Sequence, residues 1–133
     1  MSRVIALLAA LLTAACFSSP TAPDAVVGAP FDLRAGATAA LPDGLKIKFE
    51  TVRSDSRCPM DAVCVWAGEA IVALSVAKAT GGPEARELST TPGGSAITYA
   101  GYTIALTGLT PYPRASQAIR PGDYVATLVV TTR

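Results

Sequence analysis

The chain has 133 residues, with 11 lysines and arginines, 10 aspartates and glutamates, and no histidine. Basic and acidic side chains nearly balance, and this excludes the strongly basic surface that nucleic-acid binding requires. The missing histidine removes the commonest general base and the commonest metal ligand, so the composition argues against an enzyme or a cofactor-dependent protein. A chain of this length has room for one domain with its own core.

The first fifteen residues have the pattern of a signal peptide. Arg3 gives a basic start, residues 4–12 form an apolar run too short to span a bilayer, and small residues lead up to Cys16. The segment Leu12-Thr-Ala-Ala-Cys16 resembles the bacterial lipobox. This resemblance implies cleavage after Ala15 and a diacylglyceryl group on the Cys16 thiol. A plain secretory signal, with Cys16 incidental, is the alternative.

Residues 16–30 have the composition of a flexible tether, since they are rich in Ser, Pro, Thr and Ala and show no apolar periodicity. The lipid would make the membrane a partner of the protein and place it in the cell envelope. Phe17, rather than aspartate, follows the cysteine. In a Gram-negative cell this resembles the class sorted to the outer membrane, facing the periplasm.

Residues 31–133 read as a single β-domain. Apolar and polar residues alternate over Leu45–Val52 and Asp123–Thr132, which predicts half-buried strands, whereas Ala70–Ala79 is apolar on both faces and predicts a central strand. Further strands are predicted at Phe31–Gly36, Ala37–Leu41, Ala85–Thr90 and within Ile97–Leu109, with Ala96–Tyr99 as a hairpin partner. About six to eight strands with regular turn signals predict an all-β antiparallel β-sandwich, immunoglobulin-like in size, with a small partly open barrel as the alternative.

Two of the three cysteines, Cys58 and Cys64, enclose five residues. That spacing differs from the redox and zinc motifs, and an exported protein favours a disulfide. Lipidation of Cys16 would use the odd cysteine. A reduced cluster of Cys58, Met60 and Cys64 that binds Cu(I), or thiol exchange, is the alternative.

Two aromatic residues are predicted to be structural. Trp66 follows Cys64 by two residues, so in an extended strand the two side chains share a face and the indole would pack in the core over the disulfide. The alternative is an exposed stacking platform for a sugar or peptide, with Tyr112 as its partner. Asp123-Tyr124 resembles the corner of immunoglobulin-like sandwiches at which a tyrosine hydroxyl bonds back to the backbone.

Three acidic residues, Asp55, Asp61 and Glu69, cluster around the cysteines. Such carboxylates could bind calcium or act as an acid/base pair. Arg53 and Arg57 are interleaved with them, however, so ion pairing or solvation is the preferred interpretation, and we predict no metal site.

Asp55-Ser-Arg-Cys-Pro59 together with Cys64-Val-Trp-Ala-Gly-Glu-Ala70 resembles a motif of small bacterial lipoproteins and exported proteins of unassigned function. The resemblance implies an exported β-domain with a short disulfide loop, and it transfers no catalytic residue. We therefore expect a non-enzymatic, lipid-anchored envelope domain that binds or supports another envelope component, a protein or a glycan, through Met60, Asp61 and Tyr112. A metal-binding or hydrolytic protein using the three acids, and a purely structural spacer, are the alternatives.

Overall fold

A computed structural model of the protein describes residues 24–133, which form eight β-strands and two short 3-10 helices. The strands are β1 Pro30–Arg34, β2 Thr38–Ala40, β3 Lys46–Asp55, β4 Ala70–Ala77, β5 Glu84–Ser89, β6 Ala96–Tyr99, β7 Tyr102–Thr110 and β8 Val125–Thr132. The 3-10 helices are Pro92–Gly94 and Pro121–Asp123.

The strands pair in two antiparallel sheets of four. One sheet has the order β2-β3-β4-β5 and the other has the order β1-β8-β7-β6. The predicted all-β sandwich is therefore confirmed. The alternative, a small partly open barrel, is wrong, because the described strands pair in two separate sheets rather than in one continuous sheet.

The core lies between the sheets and is built from the alternating residues of the long strands. On β3, Ile47 and Phe49 are fully buried, while Lys46 and Lys48, which alternate with them, are exposed. On β8, Leu128 and Val130 are fully buried from the opposite sheet. Because successive side chains of a strand point to opposite faces of the sheet, this alternation places apolar residues on the inner face and polar residues on the solvent-exposed face.

The sandwich has two distinct ends. At the loop end, β3 leads into the disulfide loop, residues 56–69, and β7 leads into the Pro-Tyr-Pro loop, residues 111–120. At the opposite end, which we call the anchor end after the predicted lipidation of Cys16, Asp24 forms a bridge with Ala40, and the Gly28 amide donates to the Val130 carbonyl at 2.7 Å. The ten residues of β3 run from one end to the other, a span of roughly 30 Å at the rise of an extended strand.

The domain includes residues that the sequence assigns to the tether. Ala25 is only 2% exposed, and β1 begins at Pro30. Part of the segment assigned to the tether therefore packs against the sandwich, because a proline- and alanine-rich segment can still pair through its backbone. The predicted signal peptide and lipidated Cys16 lie outside the described residues. Among residues 24–133, none of the helices has the length and apolar character that crossing a membrane requires.

Candidate binding site at the loop end

The disulfide loop is closed by a covalent bond and by its own backbone. Cys58 and Cys64 form the predicted disulfide, with an S–S distance of 2.14 Å. The two stems of the loop are joined by hydrogen bonds from the Ser56 amide to the Glu69 carbonyl and from the Cys58 amide to the Ala67 carbonyl, both 2.8 Å. The alternative Cu(I) cluster has no thiolates in this state, since both sulfurs are in the disulfide.

Trp66 does not lie in the core, so that prediction is wrong. Its side chain is 83% exposed, and its neighbours Val63 and Val65 are 104% and 92% exposed. The shared-face argument required an extended strand within a sheet, whereas Trp66 lies between β3 and β4, beyond the end of the sheet. The loop consequently carries a group of large apolar side chains in water.

The Pro-Tyr-Pro loop lies against the disulfide loop. The Met60 amide donates to the Pro113 carbonyl at 3.0 Å, and the Ala115 amide donates to Asp61 Oδ1 at 2.8 Å. That backbone hydrogen bond is the main reason that the pKa of Asp61 lies below its usual value. Asp61 therefore joins the two loops, while Met60 and Tyr112, at 63% and 47% exposure, remain accessible.

Arg57 is a buried charged residue at the loop end of the sandwich. The residue as a whole is 5% exposed, and its guanidinium binds both carboxylate oxygens of Asp55, at 2.8 and 2.7 Å. The remaining contacts are hydrogen bonds to the carbonyls of Leu109 at 2.7 Å and Pro111 at 3.0 Å. The guanidinium carbon also lies 4.7 Å from the ring centre of Tyr112. One charged side chain thus fixes both loops to the two sheets.

Tyr124 completes this buried network. Its hydroxyl donates to Asp55 Oδ2 at 3.0 Å, so the residue is structural, but its partner is a carboxylate rather than the predicted backbone group. Burial, followed by the bond to Asp55, raises the pKa of Tyr124 to about 12. Burial also raises the pKa of Asp55, but the hydrogen bonds and the charge of Arg57 outweigh it and leave that pKa below 3.8.

The three acidic residues of the sequence motif are not assembled into one site. Asp55 is bound by the guanidinium of Arg57, Asp61 by the backbone of the Pro-Tyr-Pro loop, and Glu69 by the hydroxyl of Ser89. In the described part of the chain, no three His, Cys, Asp or Glu side chains are grouped so as to hold a metal ion. Arg57, one of the two interleaved arginines, forms an ion pair with Asp55, in line with the interpretation preferred from the sequence.

A cleft opens beside the two loops, and we call it the lateral cleft. It has a volume of about 500 Å³ and lies between the exposed end of β7 and the segment that follows β5. Its walls are formed by Arg57, Ala67, Gly68, Thr90, Thr91, Pro92, Leu106, Thr107, Gly108, Leu109, Thr110 and Tyr112.

Sequence patterns singled out neither Gly68 nor the specific pairing of Arg57 with Asp55. Gly68 adopts φ +68°, and a Cβ atom there would lie 1.8 Å from the Ser56 carbonyl oxygen. Its place in the Trp-Ala-Gly-Glu segment was the only signal. Arg57 stands two residues after Asp55, a spacing that places both side chains on one face of an extended chain, and this could have indicated the pair.

Comparison of the chain with protein-family models, with curated proteins and with solved structures gives no match in any of the three.

Proposed function

We propose that this chain is a lipid-anchored, non-enzymatic β-sandwich of the cell envelope that binds a protein partner through the tip of its loop end. One observation carries the proposal, namely a rigid, disulfide-closed loop whose large apolar side chains are exposed. We define the loop-tip surface as Met60, Val63, Val65, Trp66 and Tyr112, which are between 47% and 104% exposed.

The chemistry of the loop-tip surface favours a protein over a glycan. Stacking on a sugar ring uses aromatic faces, whereas Met60, Val63 and Val65 offer aliphatic surface that only another apolar surface covers well. A group of exposed apolar residues on a protein surface commonly marks an interaction site. A purely structural spacer has no binding partner to cover such exposed apolar side chains, so the loop-tip surface argues against that alternative.

The position of the loop-tip surface suits a protein tethered at its other end. Cys16 precedes Asp24 by eight residues, a reach of at most about 28 Å for an extended chain. Asp24 lies at the anchor end, and the loop-tip surface lies beyond the far end of β3. A lipid on Cys16 would therefore leave the loop-tip surface on the side of the domain that faces away from the bilayer.

The loop-tip surface can supply a useful but limited affinity. Full burial of one such side chain contributes about 1.5–3 kcal/mol, so the five together contribute roughly 7.5–15 kcal/mol. Association itself costs about 4–15 kcal/mol. The disulfide and the loop-to-loop hydrogen bonds reduce the ordering part of that cost, because the loop is already held in one conformation.

A photo-crosslinking amino acid at Val63 tests the proposal in native membranes. Val63 is 104% exposed, so the replacement leaves the fold intact. We expect a discrete protein adduct from position 63 and none of the same size from Ala85, an exposed control position on β5. The adduct should disappear when Val65→Ser and Trp66→Ser are added. Equal adducts from both positions, or an adduct indifferent to the two serines, would show that the loop tip is not the binding surface.

A further inference from the structure

Glu69 lies at the second stem of the disulfide loop, where hydroxyl groups hold its carboxylate in place. Its Oε2 accepts a hydrogen bond from the Ser89 hydroxyl at 2.5 Å, and Ser89 is only 8% exposed. The Thr91 hydroxyl lies 2.8 Å from that of Ser89 and 3.5 Å from the same carboxylate oxygen. Hydroxyls are neutral donors, so they orient the carboxylate without cancelling its negative charge.

The two arginines that precede the disulfide in the sequence are bound to other carboxylates. Arg57 pairs with Asp55 at 2.7 Å, and Arg53 pairs with Glu87 at 2.5 Å. Within the described part of the chain, none of the ion pairs includes Glu69, and its Oε1 has no hydrogen-bond partner. The stem of the disulfide loop therefore carries a positioned negative charge that the described domain does not pair with a cation.

Glu69 and Trp66 line the same open depression beside this stem, and we call it the stem depression. It has a volume of about 570 Å³ and is lined by Ser56, Trp66, Ala67, Gly68, Glu69 and Thr91. The face of an aromatic ring attracts a cation, and the indole of tryptophan does so best. Trp66 also belongs to the loop-tip surface, so a partner that covers the loop tip reaches the stem depression as well.

From the positioned carboxylate and the indole that share this depression, we propose that the stem depression binds an arginine side chain of the partner protein. A guanidinium is planar, so its face can stack on Trp66 while its edge donates hydrogen bonds to the free oxygen of Glu69. The ammonium of lysine has no such face and is more strongly hydrated, so lysine binds less well. This inference rests on the proposed function, since the arginine belongs to the protein that covers the loop-tip surface.

Titration of the full-length protein, in an uncharged detergent, with N-acetyl-arginine amide tests the inference. Trp66 is the one tryptophan of the chain, so its indole N–H gives a single nuclear magnetic resonance signal that needs no assignment. We expect this signal to move saturably as the arginine probe is added. The uncharged isostere N-acetyl-citrulline amide should produce no saturable shift, and N-acetyl-lysine amide and choline should each bind more weakly than the arginine probe.

Glu69→Gln removes the charge but keeps a carbonyl oxygen that can accept from the Ser89 hydroxyl. We expect this variant to weaken binding of the arginine probe roughly fivefold or more. Asp32→Asn is the matched control, because Asp32 also accepts a hydroxyl bond, from Thr127 at 2.6 Å, and lies on β1 of the other sheet. It changes the net charge equally and should leave the Kd of the arginine probe unchanged.

Three results would overturn the inference: equal binding of the arginine and citrulline probes, equal weakening by the two substitutions, or choline binding as tightly as arginine, which would indicate a lipid headgroup instead. The comparison of probes uses the unsubstituted protein, so it decides the matter even if Glu69→Gln lowers the melting temperature.

Crosslinking from Val63 in native membranes separates this inference from the proposed function. Glu69→Gln should reduce the Val63 adduct several-fold, whereas Asp32→Asn should not. An undiminished adduct in Glu69→Gln would mean that the loop-tip surface binds the partner without an arginine in the stem depression. Failure of the proposed function looks different, because position 63 would then give no adduct in the parent protein even though the arginine probe binds.

Discussion

Replacing Gly68 with alanine is expected to destabilise the domain by about 3–5 kcal/mol, which is at the upper end for a single substitution. The residue adopts φ +68°, where an L side chain is strained, and the new Cβ would lie 1.8 Å from the Ser56 carbonyl oxygen. That atom is backbone and cannot rotate away. The two stems of the disulfide loop would have to separate, which breaks the 2.8 Å bonds on either side of the contact.

Urea unfolding of the purified protein measures this effect. Gly93→Ala is the matched control, because a Cβ there meets nothing within 4 Å and the residue has no left-handed φ. The control should change the free energy of unfolding by roughly 0.5 kcal/mol or less. Equal stabilities for the two alanine variants would mean that the stems of the disulfide loop are not in contact as described.

Arg57→Ala is expected to cost about 3–5 kcal/mol of stability, because it leaves the Asp55 carboxylate without its buried partner. The side chain of Arg57 is 4% exposed and that of Asp55 is 10% exposed, so water replaces the lost contacts poorly. The carbonyls of Leu109 and Pro111 lose their donors at the same time. Arg57→Lys should recover only part of the loss, since an ammonium cannot bind the carboxylate and both carbonyls in the same geometry.

Arg120→Ala is the control for this substitution, because Arg120 forms an ion pair with Asp123 on the surface, with 83% of its side chain exposed. We expect little or no change in the free energy of unfolding there, because water screens an exposed ion pair. The dependence of the free energy of unfolding on pH in the acidic range is a second measurement of the Arg57→Ala effect. The lowered pKa of Asp55 stabilises the folded state above pH 3.8, and this contribution is lost as the pH falls further. In Arg57→Ala that loss should be smaller. Similar costs for the two arginine variants would contradict the network.

Much of the fold follows from local patterns in the sequence. The alternation of Leu45, Ile47 and Phe49 predicted a half-buried strand, and these three residues are buried on or next to β3. Cysteine spacing and the expected oxidising compartment predicted the disulfide. Such inferences depend only on residues close together in the chain, where the period of the backbone sets the direction of each side chain.

The features that were missed depend on where strands end. Trp66 was placed in the core because Cys64-Val-Trp66 reads as strand, yet the sheet resumes only at Ala70. The lateral cleft exists because β6 stops opposite Ala105 while β7 continues to Thr110. Strand lengths are settled by pairing between distant segments, so a single sequence carries little information about them.

The exposed side chains of the disulfide loop allow one rival interpretation, since a loop of valine, methionine and tryptophan could also insert into the surface of a bilayer. The two interpretations place the loop-tip surface differently. Binding to a protein partner leaves it on the far side of the domain from the anchor end, whereas insertion brings it down to the lipid. Trp66, the one tryptophan of the chain, distinguishes them without any substitution.

The most direct test is the fluorescence of Trp66 in full-length protein purified from membranes and reconstituted into phosphatidylcholine vesicles. The vesicles would contain lipids brominated on their acyl chains, which quench only indoles that enter the bilayer. We expect the emission to be unaffected by the brominated lipid and to be quenched strongly by acrylamide in the water phase, since Trp66 is 83% exposed. Strong quenching by the brominated lipid would place the loop-tip surface in the membrane and contradict its assignment as a protein-binding surface.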